Sequence, residues 1–388
     1  MANDKNFKVK NGLSAKRYLQ SGSALGYSDV DVSSGSYFTK TLTANTTLTF
    51  SNPPPSGSAS SFALEITGAD VAVGYDLANA AYDSIASSPL IGNNTANNDL
   101  FIAPDGDNLY VASGQNIQQH TMTTAWDLST LPAAASSTFS VSSQESEPKA
   151  IFFKSDGTKM YVAGATNDTV YQYALSTAWS ISTASYENKS HPVNGQETAL
   201  SGLCFSSNGT KMYIVGPISD KISEYDLSTA WDVSTANYNS VQFTISSQST
   251  AANSLTISND GTKMFVGSNG GGADTIFQYD LSTAYDLSTA SYNSVEFYYG
   301  TQEGQIGGLF FKDDGTKLYL AGQSTSKSIY QYSTAASAPA TVTYPSSVKW
   351  SGATTPDAPA GGEKDLYVFV TTDGGTTYYG KQAGDALA

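Results

Sequence analysis

Short apolar runs of four to six residues recur along most of the chain, and turn-forming residues separate them. One segment has apolar runs at 308–311, 317–322 and 328–332, with the turn Asp313-Asp314-Gly315-Thr316 between the first two. An Asp-Gly or Asn-Gly pair between apolar, β-branched and aromatic runs is a strong hairpin signal, because glycine and asparagine accept the positive φ of a tight turn. The pattern predicts two strands joined by the turn, with a third strand close behind.

The same turn recurs five times, and its glycines stand 51, 52, 52 and 54 residues apart. Self-similarity at this period is typical of stacked or radial repeats. The sequence therefore predicts a repeat protein. The five turns are Asp105-Gly106, Asp156-Gly157, Asn208-Gly209, Asp260-Gly261 and Asp314-Gly315.

A second signature links one unit to the next, and it is clearest at 225–235 and 279–289. An extended run follows each copy, for example 241–245 or 295–299, which brings the count to four strands per unit. Related copies stand at 174–183 and 121–130, with a weaker one at 75–85. In that weaker copy, residues 78–81 read Ala-Asn-Ala-Ala where the other copies read Ser-Thr-Ala-Trp or close to it.

Five such units between residues 75 and 332 predict a five-bladed β-propeller. Radial repetition is one of the few ways in which an all-β chain protects its sheet edges. A solenoid is the alternative, although its coils are usually shorter and lack a hairpin meander.

The repeats and the flanking segments carry two resemblances. The motif Ser-Asp-Gly-Thr-Lys-Met-Tyr-Val at 155–162 resembles bacterial surface-layer and lactonase-type propellers, which implies architecture and little about activity. The flanks at 36–67 and 340–380, most of all 346–350 and 371–377, resemble a β domain of tail-fibre and other virion proteins of marine, cyanophage-like bacteriophages. That resemblance implies an all-β chain, with the five-bladed propeller inserted into a small β-sandwich or jelly-roll-like domain. The propeller would occupy a turn at which a strand like 64–67 leads directly into one like 341–344.

Four segments follow from this interpretation. They are an N-terminal virion-anchoring segment at 1–34, a first β-sandwich part at 35–69, the propeller at 70–337 and a second β-sandwich part at 338–388. Residues 4–13 resemble the opening of structural proteins of such phages, and the resemblance implies docking onto another virion protein. A frayed polar terminus is the alternative. The basic residues of this region are Lys5, Lys8, Lys10, Lys16 and Arg17.

Charge and hydropathy narrow the choice of partners. The formal net charge is −15, the sequence pI is about 4.4 and the chain has only 19 Lys and Arg, so nucleic acid is not an expected partner. No apolar stretch approaches the ~20 residues of a membrane helix, and residues 1–5 lack the apolar core of a signal peptide. We therefore expect no membrane insertion, and assembly in the cytoplasm of a host.

Candidate chemistry is sparse, and we predict no enzyme, no catalytic or metal site and no cofactor. His120 and His191 lie in different units without neighbours at ligand spacing, and Cys204 lies in the apolar run 202–205 as an expected core thiol. The turn aspartates could be imagined as calcium ligands, but aspartate before glycine in a tight turn usually satisfies its own backbone. Asp232 and Asp286, which follow linker aromatics, are expected to cap amides in the same way.

Aromatic residues are the most plausible carriers of binding, since the chain has 25 Tyr, 16 Phe and 4 Trp. An exposed ring of aromatics could stack on sugars, whereas packing between blades is the favoured interpretation of a residue repeated in every unit. Two segments, 187–195 and 268–274, are predicted to interrupt the repeat with insertions, so they are candidate recognition loops, with surface drift as the alternative. The repeated aromatics are Trp126, Trp179, Trp231 and Tyr285.

Together these features predict a virion protein on the exterior of a phage particle. As a tail fibre or adhesin it would bind host-surface glycans through weak contacts multiplied by copy number. Its other partners would be virion proteins of tail or capsid, reached through the N-terminal segment and the β domain. A homotrimer is expected by analogy with phage fibres, although no coiled-coil heptad supports one. One alternative is a capsid decoration or vertex appendage with an architectural role. Another, least favoured, is a propeller hydrolase of host polysaccharide, which needs two converging carboxylates.

Overall fold

The computed structural model describes residues 23–25, 28–87, 96–269, 274–324 and 326–387. The predicted leader at 4–13 lies outside these residues, as do residues 270–273 of the predicted recognition loop at 268–274. The described part of the chain consists of strands, turns and short 3-10 segments, without an α-helix and therefore without a helix able to span a membrane. The chain divides into two compact units, one made of the described residues in 1–72 and 337–388, the other of those in 73–336.

The strands are numbered in chain order. Before the repeats lie β1 (Ser23–Ala24), β2 (Asp29–Asp31), β3 (Tyr37–Thr41), β4 (Thr46–Thr47), β5 (Thr49–Ser51), β6 (Ser60–Thr67) and β7 (Asp70–Val73). The repeats contain β8 (Ala81–Ala86), β9 (Asn97–Ile102), β10 (Asn108–Ser113), β11 (Asn116–Thr121), β12 (Ser137–Ser140), β13 (Pro148–Phe153), β14 (Lys159–Gly164), β15 (Thr169–Leu175), β16 (Ala184–Pro192), β17 (Gly202–Phe205), β18 (Lys211–Val215), β19 (Lys221–Leu227), β20 (Ala236–Thr244), β21 (Ala252–Ile257), β22 (Lys263–Ser268), β23 (Thr275–Leu281), β24 (Ala290–Tyr298), β25 (Ile306–Phe311), β26 (Lys317–Gly322) and β27 (Ile329–Ser333). After them come β28 (Ala336–Pro339), β29 (Val342–Thr343), β30 (Val348–Trp350), β31 (Lys364–Thr371) and β32 (Tyr378–Leu387).

The larger unit is a five-bladed β-propeller. Blades 1 to 4 are the four-stranded antiparallel sheets β9–β12, β13–β16, β17–β20 and β21–β24, and blade 5 combines β25–β27 with β8. The first strands of the five sheets, β9, β13, β17, β21 and β25, contact one another in a closed ring. The prediction of five radial blades is confirmed, and the solenoid alternative is wrong.

Blade 5 is closed by a strand from the other end of the repeat region. Strand β8 pairs antiparallel with β27, with Ala86 opposite Tyr330 and Ala81 opposite Ser333. The strand that precedes blade 1 therefore supplies the outermost strand of blade 5. Without this strand, the outer edge of β27 would be left unpaired.

The linker before β8 corrects the sequence alignment of the weakest copy. Tyr75 donates its backbone N–H to Gly315, just as Tyr285 donates to Gly261. The 3-10 segment Leu77–Asn79 matches Leu287–Thr289, and its leucine is buried in the same way. Residues 75–79 are therefore equivalent to 285–289, and the alignment of 78–81 with Ser-Thr-Ala-Trp is wrong. Leu77 is buried two residues after Tyr75, as Leu287 is two residues after Tyr285, and this shared position determines the alignment.

The outer strand of blade 2 corrects a second expectation. Residues 187–192 belong to β16, whose Tyr186 lies opposite Tyr173 as Tyr238 lies opposite Tyr225 in blade 3. The spacing is unchanged, so this part of 187–195 is not an insertion. Asn188, at φ 55°, forms the bulge that Ser240 forms at φ 67°. Its polar residues suit an outer strand, which is why they resembled a loop.

The smaller unit contains a six-stranded mixed sheet in the order β1-β3-β6-β31-β32-β30. Strand β6 lies parallel to β3 and antiparallel to β31, with Phe62 opposite Phe369 in a stacked pair 5.1 Å apart. The pairs β2–β5 and β4–β29 are parallel, and β7 pairs with β28. Residues 64–67 do not themselves pair with 341–344, because β3 and β31 occupy both edges of β6 and Val342 pairs with Thr46. The strands that flank the propeller in sequence and pair with each other are β7 and β28.

Two hydrogen bonds, called latches below, recur between successive blades. A tyrosine of the second strand donates its hydroxyl to the backbone carbonyl of the next linker aromatic at 2.5–2.7 Å. Its cross-strand partner, a Gln or Glu, accepts the N–H of the 3-10 segment that follows at 2.9–3.3 Å. The four hydroxyl pairs are Tyr110 with Trp179, Tyr161 with Trp231, Tyr213 with Tyr285, and Tyr319 with Trp126.

The fifth seam, between blades 4 and 5, has neither latch. Phe265 replaces the tyrosine and stacks on Tyr75 with 5.9 Å between ring centroids. Its cross-strand partner Gln278 has an Oε1 that is buried without a hydrogen-bond partner in the described structure. The seam between blades 4 and 5 therefore relies on apolar packing more than the other four do.

Restoring the missing hydroxyl should strengthen this seam. We expect Phe265→Tyr to raise the free energy of unfolding by about 1 kcal/mol, the usual net value of one such hydrogen bond. Tyr213→Phe, which removes the same latch from another seam, should lower it by a similar amount. Urea denaturation of both variants checks the pair, and a Phe265→Tyr protein that is no more stable than wild type would contradict the expectation.

Candidate functional site

The inner strands surround a pocket of about 130 Å³ at the end of the propeller where the Asp-Gly turns lie. Its lining residues fall into four sets of repeat-equivalent positions, which lie two, four and five residues before the turn glycine and at the linker aromatic. Its rim consists of the residue two before each turn glycine: Pro104, Ser155, Ser207, Asn259 and Asp313. Its floor consists of the residue five before each glycine: Phe101, Phe152, Cys204, Thr256 and Phe310. Its wall is completed by Phe153, Phe205, Ile257, Phe311, Tyr75, Trp231 and Tyr285.

The floor of this pocket is largely aromatic. Phe101 meets Phe152 and Phe310 in edge-to-face pairs with centroids 5.5 and 5.1 Å apart. Phe152 continues the cluster to Phe205 at 5.2 Å. Since one strand from each blade contributes the same position, the fivefold repeat gathers residues that are far apart in sequence.

The linker aromatics stand above the turn glycines with positive φ. The φ values of Trp126, Trp179, Trp231, Tyr285 and Tyr75 lie between 59° and 64°. A Cβ on any of the five turn glycines would lie 2.2–2.4 Å from the aromatic ring above it. Glycine is therefore required for the close contact with the ring as well as for the turn. All five rings are half-buried.

Ring contacts confirm the packing interpretation for these aromatics. Trp179, for example, lies 5.9 Å from Phe153 of its own blade and 6.2 Å from Phe101 of blade 1. The sequence identified four of the five positions and missed Tyr75, whose equivalence depends on the corrected register.

Two tyrosine hydroxyls hold the rim of blades 4 and 5. Tyr75 Oη donates to the Asp313 carbonyl at 2.9 Å and accepts from the Asn259 N–H at 3.1 Å. Tyr285 Oη donates to the Asn259 carbonyl at 2.6 Å. Burial raises the pKa of Tyr75 to about 12, so its hydroxyl stays protonated at neutral pH.

Asp313 carries the one carboxylate among the described lining residues. Partial burial raises the pKa of Asp313 above its ordinary value, and the neighbouring Asp314 adds to the increase. Lys312 opposes the shift, yet its ammonium group bonds to Asp314 at 2.7 Å. The pocket rim thus has an acidic group with no direct lysine partner in the described structure.

The turn aspartates bind their own loops, as expected from their sequence. Asp156 Oδ1 accepts the N–H of Thr158 at 3.0 Å, and Asp260 and Asp314 accept equivalent bonds. Asp232 and Asp286 accept the N–H groups of the residues two further on. Within the described ranges, no cluster of three or more His, Cys, Asp or Glu has the arrangement of a metal site.

The two histidines lie away from the pocket. Burial lowers the pKa of both His120 and His191, which favours their neutral forms. His120 Nδ1 lies 3.1 Å from the Pro132 carbonyl, and the His191 ring packs edge-on against Tyr225. Cys204 is buried in the floor, as predicted, and burial raises the pKa of its thiol.

The opposite end of the axis is polar. A second pocket of about 160 Å³ has Lys149 as its one charged lining residue, beside Asn98, Asn253 and Gln323. Between the two pockets, Asp99 accepts the N–H groups of Leu100 and Ile151 at 2.8 Å, and burial raises the pKa of its carboxyl. Asn98 donates to the Pro148 carbonyl and accepts from Gln323, so both of these amide side chains are already engaged.

Comparison with known proteins gives weak similarities only. No protein-family model and no curated protein matches this sequence. A 6-phosphogluconolactonase-like protein from Bacteroides uniformis ATCC 8492 is 13% identical over 60% of this chain and 65% of its own, with a TM-score of 0.39. A similar protein from Bacteroides fragilis NCTC 9343 is 14% identical over 57% and 62%, with a TM-score of 0.37. The WD40 repeats of RRP9 are 10% identical over 68% and 99%, with a TM-score of 0.39. The chain spans less than two thirds of both lactonase-like proteins, and similarities this low assign no activity.

Proposed function

We propose that this chain is a structural protein on the exterior of a bacteriophage particle, a tail fibre or adhesin whose propeller binds saccharides of the host surface. The axial pocket is the observation that carries the binding role. It combines aromatic surfaces, which pack against sugar faces, with polar rim residues that can fix orientation. Four blades contribute such a rim residue: Ser155, Ser207, Asn259 and Asp313.

The virion assignment depends on the resemblance of the flanking segments. Support comes from the smaller unit, in which β6 and β31 are adjacent although the whole propeller separates them in sequence. We propose that this unit is the sandwich or jelly-roll-like domain of such virion proteins, interrupted by the propeller. It would attach to other virion proteins after assembly in the host cytoplasm, together with the N-terminal segment, and a homotrimer would multiply a weak pocket affinity.

Two alternatives remain distinguishable. A capsid decoration or vertex appendage would share the fold but sit elsewhere on the particle. A polysaccharide hydrolase would need two carboxylates roughly 5 to 9.5 Å apart across the bond to be cleaved. The single carboxylate of the described pocket lining favours binding without hydrolysis.

Two measurements test the proposal. Cryo-electron microscopy of intact particles should place the propeller on the tail, whereas density on the capsid would favour the decoration role and absence from the particle would refute the virion assignment. Recombinant protein should adsorb to host cells and compete with infection. Ser155→Arg, an exposed rim substitution, should abolish adsorption, while Ser182→Arg, exposed but outside the pocket lining, should not.

A further inference from the structure

One linker aromatic already binds an ammonium group within the protein. Lys312 Nζ lies 5.6 Å from the centroid of the Trp126 ring, within the range of a cation–π contact. Lys312 is the residue three before the turn glycine of blade 5, and Trp126 belongs to the linker that packs between blades 5 and 1. The contact shows what can bind at this place in the repeat.

The equivalent places beside Tyr285 and Tyr75 have no lysine. The residues three before the turn glycines of blades 3 and 4 are Ser206 and Ser258. Both hydroxyls bond to the turn residue two positions on, Ser206 to Asn208 at 2.8 Å and Ser258 to Asp260 at 2.6 Å. Tyr285 and Tyr75 line the axial pocket, whereas Trp126 does not.

We propose that the axial pocket binds an ammonium group, primary or methylated, carried as a substituent on a host-surface glycan. This inference rests on the proposed saccharide-binding function and names the chemical class that the pocket selects. The aromatic floor and walls would surround the cation, and Asp313 would supply the opposite charge.

Size and charge agree with this ligand. A cavity of about 150 Å³ holds a benzene-sized molecule, so the pocket of about 130 Å³ suits one small group rather than a long saccharide. Partial burial and the neighbouring Asp314 raise the pKa of Asp313, and a cation bound beside this carboxyl would oppose both effects. The net charge of −15 would also attract cationic groups at long range.

A neutral sugar alone fits less well. The hydroxyls of Tyr75 and Tyr285 are engaged with rim backbone groups, and the floor offers mainly phenyl rings. Sugar hydroxyls that lay on the floor, away from the polar rim residues, would lose water without gaining partners, which is costly. An ammonium group carrying methyl substituents has little hydration to lose and gains the ring faces.

Calorimetric titration of the full chain with choline tests the inference. Choline should bind at least about tenfold more tightly than its neutral isostere, in which carbon replaces the quaternary nitrogen. Asp313→Asn and Phe152→Leu should each weaken choline binding several-fold and leave the isostere unchanged. Asp107→Asn, which removes an exposed acid outside the pocket, serves as the matched control.

Two further binding measurements distinguish a glycan from a lipid headgroup as the source of the ammonium group. Glucosamine should bind more tightly than glucose, in support of an amino-substituted glycan. Binding to phosphatidylcholine vesicles without a preference for glucosamine would point to a lipid headgroup and overturn the glycan assignment.

Failure of this inference and failure of the proposed function give different results. Equal affinity for choline and its isostere, or no binding of either, would overturn the ammonium site. If Ser155→Arg still abolished adsorption to cells in that case, the adhesive role would stand. Preferential choline binding by a protein that is absent from the particle would refute the virion role and retain the site.

Discussion

Replacing Glu197 by alanine is expected to lower the free energy of unfolding by about 3 kcal/mol, because a buried carboxylate with several backbone donors would be lost. Its side chain is 2% exposed. Oε1 accepts the N–H groups of Thr198 and Ala199, both at 2.9 Å. Oε2 accepts the N–H and hydroxyl of Ser219 at 3.0 and 2.8 Å. The variant would leave three backbone N–H groups without this acceptor.

Buried glutamates make the same kind of contact in blades 2 and 5. Blade 4 has a different residue at this position, and the residue opposite it differs as well. Buried Glu145 and Glu303 bind the corresponding loops. In each case a glycine lies opposite, and a Cβ at Gly216 would lie 2.5 Å from the Glu197 carboxyl carbon. Blade 4 has serine at both positions, and Ser249 bonds to Ser268 at 2.7 Å. A glutamate at the first position therefore occurs with a glycine at the second, and a serine at the first position occurs with a serine at the second.

A double-mutant cycle can test this coupling. Gly216→Ser alone should be strongly destabilising, whereas Glu197→Ser with Gly216→Ser should be less damaging than the sum of the two single changes. Urea denaturation followed by tryptophan fluorescence measures each variant. Glu296→Ala, on the exposed face of β24, is the control and should change stability by no more than about 0.5 kcal/mol. Additive effects would show that the two positions are independent.

Much of the propeller could be predicted because its signals are local. The five turn glycines have φ between 68° and 81°, as a hairpin built on Asp-Gly or Asn-Gly requires. The linker aromatics could be aligned wherever the full signature survives. At residues 75–85 only a fragment survives, so the alignment slipped and Tyr75 was missed.

Ring closure could not be predicted in this way. Strand β8 resembles the outer strands of other blades, and only tertiary structure decides that its partner is β27, more than 240 residues away. The prediction of an insertion at 187–192 was wrong for a different reason. The polar residues of an outer strand have the composition of a loop, so the sequence does not distinguish the two.

The pocket was missed because no single lining residue carries a motif. Cys204 and Thr256 are ordinary apolar or small residues, and only their shared distance from the turn glycine brings them to the axis beside Phe101. Comparing the five units column by column, two and five residues before each glycine, would have found rim and floor together. The aromatic residues singled out from the sequence instead pack mainly between blades.

Asp83 should be the most sensitive residue of the closing strand. Its side chain is 14% exposed and lies on β8, whose pairing with β27 closes the ring. The carboxylate accepts bonds from Lys317 Nζ at 2.6 Å, Gln331 Nε2 at 2.9 Å and Ser333 Oγ at 2.6 Å. We expect Asp83→Asn to lower the free energy of unfolding by about 2 kcal/mol at pH 7, since these bonds involve a charged acceptor.

The pH dependence of this effect has a definite sign. Burial raises the pKa of Asp83, but the bonds from Lys317, Ser333 and Gln331 outweigh it and leave the pKa below its ordinary value. A carboxyl whose pKa is lowered by folding stabilises the native state above its unfolded pKa of about 3.9, and this stabilisation is lost as the pH falls through the folded value. The stability difference between wild type and Asp83→Asn should therefore be constant near neutrality and shrink below about pH 4.

Glu187 provides a matched control, because it binds Lys159 and Gln172 in blade 2, away from the pairing of β8 with β27. Both Asp83→Asn and Glu187→Gln remove one charged acceptor from an outer strand. Hydrogen exchange should accelerate in β27 and β8 for the first variant, since an outer strand supplied from the other end of the repeats can separate without opening another blade. For Glu187→Gln the increase should stay within β15 and β16. Equal protection of β27 in both variants would show that closure does not depend on Asp83.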